Sequence, residues 1–159
     1  MVISEDKIRR AIEEKEISIQ PFNGSLLKDV SYTFTLSNKF CLPKVTTEFI
    51  DARDSIEFEE KVMPDEGYLL RPGEFIVCYT KEKVTLNNKF VCLISTRASL
   101  AQMGLNVTQG SFLTGSDTDN IFALETSNNG NLPIKLFPGM KIAKGVFLRV
   151  DSDSSSNIG

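Results

Sequence analysis

Two residue counts decide which chemistries this chain of 159 residues can carry. It contains no histidine, so Ser-His-Asp and Cys-His nucleophile systems are excluded, as are most catalytic zinc sites. Its three cysteines, Cys41, Cys78 and Cys92, include no Cys-x-x-Cys pair. Zinc-assisted deamination needs that pair plus a His or Cys beside a glutamate, so that route is closed too. Three scattered thiols in apolar runs argue against a disulfide framework and read as buried packing residues. Carboxylate, guanidinium, hydroxyl and amide groups remain. Arg97, Ser99 and Gln102 fall in one short run, Arg97-Ala-Ser-Leu-Ala-Gln102, where a guanidinium could make forked contacts with a phosphate or a carboxylate. Glu125 follows Leu124 in an apolar run; partial burial would raise its pKa toward neutrality and suit it to moving protons. Asp117 and Asp119 belong to Ser116-Asp-Thr-Asp-Asn120, a composition that usually makes a solvated turn.

The elements that must position these groups are legible in the patterning. Hydrophobic residues make up 41% of the chain and charged residues 25%, the balance of an ordinary globular domain. The net charge of −3 leaves no basic footprint for nucleic acid. No apolar run is long enough to span a bilayer, and the N-terminus lacks a signal pattern, so a cytoplasmic protein is expected. Ser4, Glu5 and Asp6 open a helix, with Ile3 and Ile8 as a hydrophobic staple and an end near Lys15. From Ile17 the pattern changes to alternation and short apolar runs. Strands are expected at 17–22, 30–40, 47–50, 55–62, 68–70, 75–80, 90–94, 121–126, 134–137 and 142–150, with turns at Pro72-Gly73, Asn87-Asn88, Asn129-Gly130 and Pro138-Gly139. So many short strands predict an all-β sandwich or barrel. Ser99 to Gly104 reads as one helical turn closed by glycine. Residues 1–150 form a single domain, and the Ser-rich tail 151–159 is expected to be flexible.

The order of segments resembles the dCTP deaminase/dUTPase superfamily. The resemblance starts with Ile3-Ser-Glu-Asp-Lys-Ile-Arg-Arg and Ile19-Gln-Pro-Phe22, and continues through Ser31-Tyr32, Leu36-Ser-Asn-Lys-Phe40, Leu70-Arg-Pro-Gly-Glu-Phe75 and Thr80-Lys-Glu-Lys-Val-Thr-Leu86. Its most specific pieces are Arg97-Ala-Ser-Leu-Ala-Gln-Met-Gly-Leu105, Leu124-Glu-Thr-Ser-Asn128, and Leu132-Pro-Ile through Pro138-Gly-Met-Lys-Ile142. It looks closest to small archaeal or viral deaminase-like forms. It implies a distorted jelly-roll β-barrel of the dUTPase-like type with a short N-terminal helix. It also implies a homotrimer with sites at subunit interfaces, binding dUTP or dCTP with magnesium carried on the phosphates and no zinc. A closed cyclic assembly would also cover exposed strand edges.

Carried over residue by residue, the resemblance makes Glu125 the proton shuttle for water attacking C4 of cytosine. It makes Arg97, Ser99 and Gln102 contacts to the nucleotide phosphates. Several positions depart from the family pattern. Arg-Ser-Ser-Leu-x-Arg has become Arg97-Ala98-Ser99-Leu100-Ala101-Gln102, which loses a hydroxyl and a cation. The Ile-Asp pair before the glutamate is Thr114-Gly115, with Asp117 two residues further on as a weaker catalytic candidate. Ser-Tyr-Asp is Ser31-Tyr32-Thr33, and Lys144 stands where many relatives carry glutamine. A neutral amide cannot replace a charge, and losing one preorganised electrostatic group commonly costs about 2.7–4 kcal/mol of barrier. The expectation from these losses is a divergent member, non-catalytic or weakly active, that retains deoxynucleotide binding at trimer interfaces. The alternative is an active dUTP diphosphatase or dCTP deaminase in which Asp117 or Asp119 takes over as a relocated water or metal ligand.

Overall fold

Helix α1 (Glu5–Glu13) carries Glu5 and Asp6 in its first turn, where the helix dipole favours negative charge. Ile3 and Ile8 are both buried, as a staple requires. Ser4 occupies the N-cap position, but its side chain makes no capping bond. A tertiary partner takes that role: the Glu5 N–H donates to the Asp29 carbonyl at 2.5 Å. The Asp29 N–H in turn donates to the Glu5 carboxylate at 3.2 Å.

The computed structural model describes residues 1–110, 113–115 and 119–151. Its strands are β1 (Ile17–Gln20), β2 (Leu27–Lys28), β3 (Ser31–Pro43), β4 (Phe58–Val62), β5 (Tyr68–Leu70), β6 (Phe75–Leu86), β7 (Phe90–Thr96), β8 (Leu105–Asn106), β9 (Leu113–Thr114), β10 (Asp119–Asn128), β11 (Ile134–Leu136) and β12 (Lys141–Arg149). A second short helix, α2 (Ala98–Ala101), lies between β7 and β8. The main sheet runs β8-β10-β6-β3-β12-β7-β9, with β1 on β6 and with β2 and β4 on β3; β5 and β11 form a separate ribbon. Every pairing is antiparallel. The long strands β3 and β6 let one curled sheet wrap around a single core, the all-β architecture expected.

Alternation sets the core. Tyr32, Phe34 and Leu36 of β3 point inward, as do Ile76, Cys78, Val84 and Leu86 of β6. Phe34 meets Tyr32 at 5.2 Å and the ring edge of Phe122 at 5.5 Å. Gly145 makes room for that cluster: a Cβ there would lie 2.5 Å from the Phe34 ring and 2.8 Å from Cys92 Sγ.

Several expectations are corrected. Residues 47–50 form no strand, and β4 starts at Phe58 rather than at Ser55. Phe49 and Ile50 stay exposed, so an apolar run without a pairing partner does not become a strand. β6 continues through the charged stretch to Leu86, because Lys81, Lys83 and Thr85 face outward while their neighbours fill the core. The two-residue strands β2, β8 and β9 are too short to show a period. Cys78 and Cys92 are buried, and burial pushes each thiol up to about 12. Cys41, expected to be buried, is half-buried with Sγ 3.4 Å from the Tyr79 hydroxyl. Among the described residues no helix is long and apolar enough to cross a membrane. The tail beyond Asp151 lies outside the described residues.

Candidate active site

Glu125 owes its position to β10 being held at both ends. Along this strand Leu124, Thr126 and Asn128 face the core, fully buried, so alternation turns Glu125 to the other face, opposite Val77 of β6. Thr126 Oγ1 donates to the Leu124 carbonyl at 2.7 Å, which satisfies a buried hydroxyl locally. At the C-terminal end Asn128 acts as a clamp. Its Nδ2 donates to the carbonyls of Leu70 (3.0 Å) and Leu132 (2.8 Å), and its Oδ1 accepts the Gly130 N–H at 2.9 Å. At the other end the β10–β6 register shifts between Ile121 and Ala123. There the Phe122 N–H leaves the ladder and donates to Thr80 Oγ1 at 3.1 Å. The Thr80 hydroxyl donates to the Glu82 carbonyl at 2.9 Å. Such an irregularity bends a strand and re-aims its side chains.

The result is a cleft of about 320 Å³. Ile94, Leu113, Ile121 and Phe122 supply apolar walls, and Thr114, Asn120 and Glu125 supply the polar side chains. Glu125 is partly buried, and its Oε2 atom is buried with no hydrogen-bond partner among the described residues. Gly110 lies beside the carboxylate; a Cβ there would sit 3.8 Å from its carboxyl carbon, in ordinary van der Waals contact. Leaving a buried acceptor unmatched costs on the order of 1–3 kcal/mol. Such an acceptor calls for a ligand, a water or a proton to match it.

Arg97 sits on the turn that joins β7 to α2. Its N–H donates to the Ile142 carbonyl at 3.2 Å, and its own carbonyl accepts from Leu100 (2.9 Å) and Ala101 (3.0 Å). Leu100 anchors the turn in the core. Gly104 closes it at φ +99°, and a Cβ there would lie 2.4 Å from the Gly130 nitrogen, so only glycine fits. This packs the turn against the loop that follows β10. Ser99 and Gln102 are exposed and Arg97 is partly exposed. Among the described residues the Arg97 guanidinium enters no ion pair. On β12, Lys144 stands exposed between Thr33 of β3 and Ser95 of β7.

One chain does not bring the expected site residues together. Arg97, Ser99 and Gln102 do not line the cleft that holds Glu125. Asp117 lies outside the described residues. Asp119 is committed elsewhere: its Oδ1 accepts from Thr85 Oγ1 at 2.9 Å and lies 3.3 Å from Lys83 Nζ. Those two partners, Thr85 first, hold its carboxyl below the usual carboxylate range. It is absent from the cleft lining, so it is no replacement ligand beside Glu125. Two cleft residues, Thr114 and Asn120, were not among the site candidates. Thr114 stands, with Gly115, where the resemblance puts the Ile-Asp pair, and Asn120 ends the polar segment that follows.

Comparison with known proteins identifies the family and the fold. The family model described as dCTP deaminase-like matches residues 2–150. The chain is 28% identical to "dCTP deaminase, dUMP-forming" of Persephonella marina over 98% of its own length and 88% of the relative's. It is 32% identical to the protein of the same name from Tropheryma whipplei strain Twist, over 100% and 83% of the two lengths. The fold matches the 2'-deoxycytidine 5'-triphosphate deaminase of Agrobacterium tumefaciens with a TM-score of 0.72 at 14% identity, covering 94% of this chain. The chain spans 48% of that longer protein. A mutant dUTPase from the Staphylococcus aureus phage phi11 matches with a TM-score of 0.56 at 12% identity, over 86% of this chain and 92% of the other, which supports the dUTPase-like fold. These sequence relatives are bacterial and lend no support to the expected archaeal or viral form.

Proposed function

The chain belongs to the dCTP deaminase-like family, and from that premise we propose that it is an active dCTP deaminase, with Glu125 as the group that moves protons. The expectation of a non-catalytic member gives way to its alternative. The relatives matched along nearly the whole chain are named as dUMP-forming deaminases. The observation that carries the proposal is the buried Oε2 of Glu125, without a hydrogen-bond partner among the described residues, in a cleft with apolar walls.

Glu125 takes a proton from a water as the water oxygen bonds to C4 of the cytosine, and the C4=N3 electron pair moves to N3, which receives that proton. The carboxylate then carries the remaining hydroxyl proton to the amino group. The C4–N bond breaks, ammonia leaves, and C4 becomes a carbonyl. One water is consumed per ammonia. Release of dUMP, as the relatives' names specify, consumes a second water at the phosphates and liberates pyrophosphate. Apolar walls suit the ring face, and water exclusion strengthens the field of the carboxylate. The cleft offers one carboxylate, one amide and one hydroxyl side chain, a poor set for a resident dication. Magnesium therefore enters with the triphosphate, as part of the substrate.

The phosphates need cations, and the cleft lining has none. We place Arg97, with Ser99 and Gln102, at the phosphates of a nucleotide whose base lies in the cleft of a neighbouring copy, in a homotrimer. The Arg97 guanidinium, in no ion pair among the described residues and on a turn with exposed Ser99 and Gln102, supports this. Gln102, neutral where the family places arginine, is expected to slow the reaction without abolishing it. Incubation with magnesium dCTP, with chromatographic separation of products, tests the reading. Deoxyuridine nucleotide should form and should vanish in Glu125→Gln. A wild-type protein that yields none would overturn it.

A further inference from the structure

We propose that Thr80 is a positioning residue whose hydroxyl sets the bend of β10 that presents Glu125 to the pyrimidine; this rests on the proposed dCTP deaminase reading. Ile121 of β10 pairs with Lys83 of β6, and Ala123 pairs with Tyr79, so Thr80, Lys81 and Glu82 stand against Phe122 alone. β6 therefore bulges here, and the strands on both sides of it lose ladder partners. On one side the Phe122 N–H turns to Thr80 Oγ1, at 3.1 Å. On the other the Thr35 N–H of β3 turns to the Glu82 carboxylate. Two buried side chains of the bulge thus take the place that main-chain carbonyls hold elsewhere in the sheet.

The bulge lies where the site needs it. Ile121, Ala123 and Glu125 alternate on one face of β10 and line the cleft, while Phe122 and Leu124 between them are buried. A hydroxyl can donate and accept at once. The Thr80 proton goes to the Glu82 carbonyl at 2.9 Å, which leaves a lone pair for the Phe122 N–H. Branching at Cβ stiffens χ1, and full burial removes competing water. An isosteric valine has neither proton nor lone pair. The buried Phe122 N–H would then seek another partner, and the strand that carries Glu125 three residues later would shift with it. Thr80 is absent from the cleft lining, so it acts through the strand rather than on the nucleotide.

The test is steady-state deamination of magnesium dCTP by the wild type, Thr80→Val, Thr80→Ser and a control, Ile8→Val, each assayed well below its melting temperature. Thr80→Val should lower kcat by about tenfold to a hundredfold, because misplacing a reacting group by roughly 1 Å costs that much. Its KM should stay within about threefold, since the phosphate contacts proposed for the neighbouring turn are untouched. Thr80→Ser keeps the hydroxyl and should hold kcat within about threefold of the wild type. Ile8→Val trims the core under α1, outside the cleft, and should lower the melting temperature with kcat unchanged. A merely structural threonine would behave like that control. If the valine variant does not fold, Thr80→Cys replaces it, with the same direction expected, because a thiol is a weak donor and acceptor. An unchanged kcat in the folded valine or cysteine variant, or a serine variant as slow as the valine one, overturns the role of Thr80 while the deaminase reading stands. A wild type that forms no deoxyuridine nucleotide overturns both.

Discussion

Thr35 and Glu82 lock strands β3 and β6 together from inside the barrel. The Thr35 N–H donates to both Glu82 carboxylate oxygens, at 3.2 and 3.0 Å, and its hydroxyl donates to Oε1 at 2.6 Å. Glu82 is 2% exposed, so these bonds replace the water it gave up. Its carbonyl also accepts from Thr80, which in turn holds Phe122 at the bend of β10. A buried carboxylate matched by Thr35 is thus linked through Thr80 to the strand that carries Glu125. Glu82→Ala should destabilise the fold by about 3 kcal/mol, because it leaves a buried N–H and hydroxyl unpaired. Urea unfolding measures this, and a change below about 0.5 kcal/mol would contradict the assignment.

Glu125→Gln should show the opposite signature. Deamination should fall by about a thousandfold or more, since the amide cannot take up the proton. Folding stability should hold, because Oε2 has no hydrogen-bond partner among the described residues for the amide to lose. Parallel activity assays and thermal melts separate this from simple damage to the fold. Loss of activity together with loss of stability would assign Glu125 a structural role.

A site shared between copies predicts complementation. Arg97→Ala and Glu125→Gln trimers should each be inactive. Chains co-refolded as an equal mixture should recover about a quarter of wild-type activity, because one interface in four then pairs an intact Arg97 turn with an intact Glu125 cleft. Light scattering should report a trimer throughout. No recovery in verified mixed trimers would place both groups on the same chain's site.

The thiols predict an alkaline limb. Burial raises Cys78 and Cys92 in the folded protein to about 12, against about 8.5 for an unfolded cysteine. The stability they contribute is intact below the unfolded pKa and is lost as pH rises through the folded value, because only the unfolded chain releases those protons easily. Denaturation midpoints should therefore decline between about pH 9 and 12, and Cys92→Ala should flatten that decline. At pH 8 a thiol reagent should modify Cys41 quickly in the native protein and all three cysteines once it is unfolded.

The all-β architecture, the opening helix and the turn at Arg97 were legible because they are local. Alternation, staple residues and a closing glycine act within a few residues, and backbone geometry enforces them. The absence of histidine settled which catalytic systems were impossible before any fold was considered. Glu125 could be singled out through the resemblance that Leu124-Glu-Thr-Ser-Asn128 carries. Its unpartnered oxygen could not, since that depends on which groups other strands fail to bring near. Tertiary pairing also decided that 47–50 would stay out of the sheet, that Ser4 would yield its capping role to Asp29, and that Asp119 would turn to Lys83. Each outcome is a competition between distant segments for one hydrogen bond or one patch of buried surface. Residue order names the competitors, and only the folded chain selects the winner.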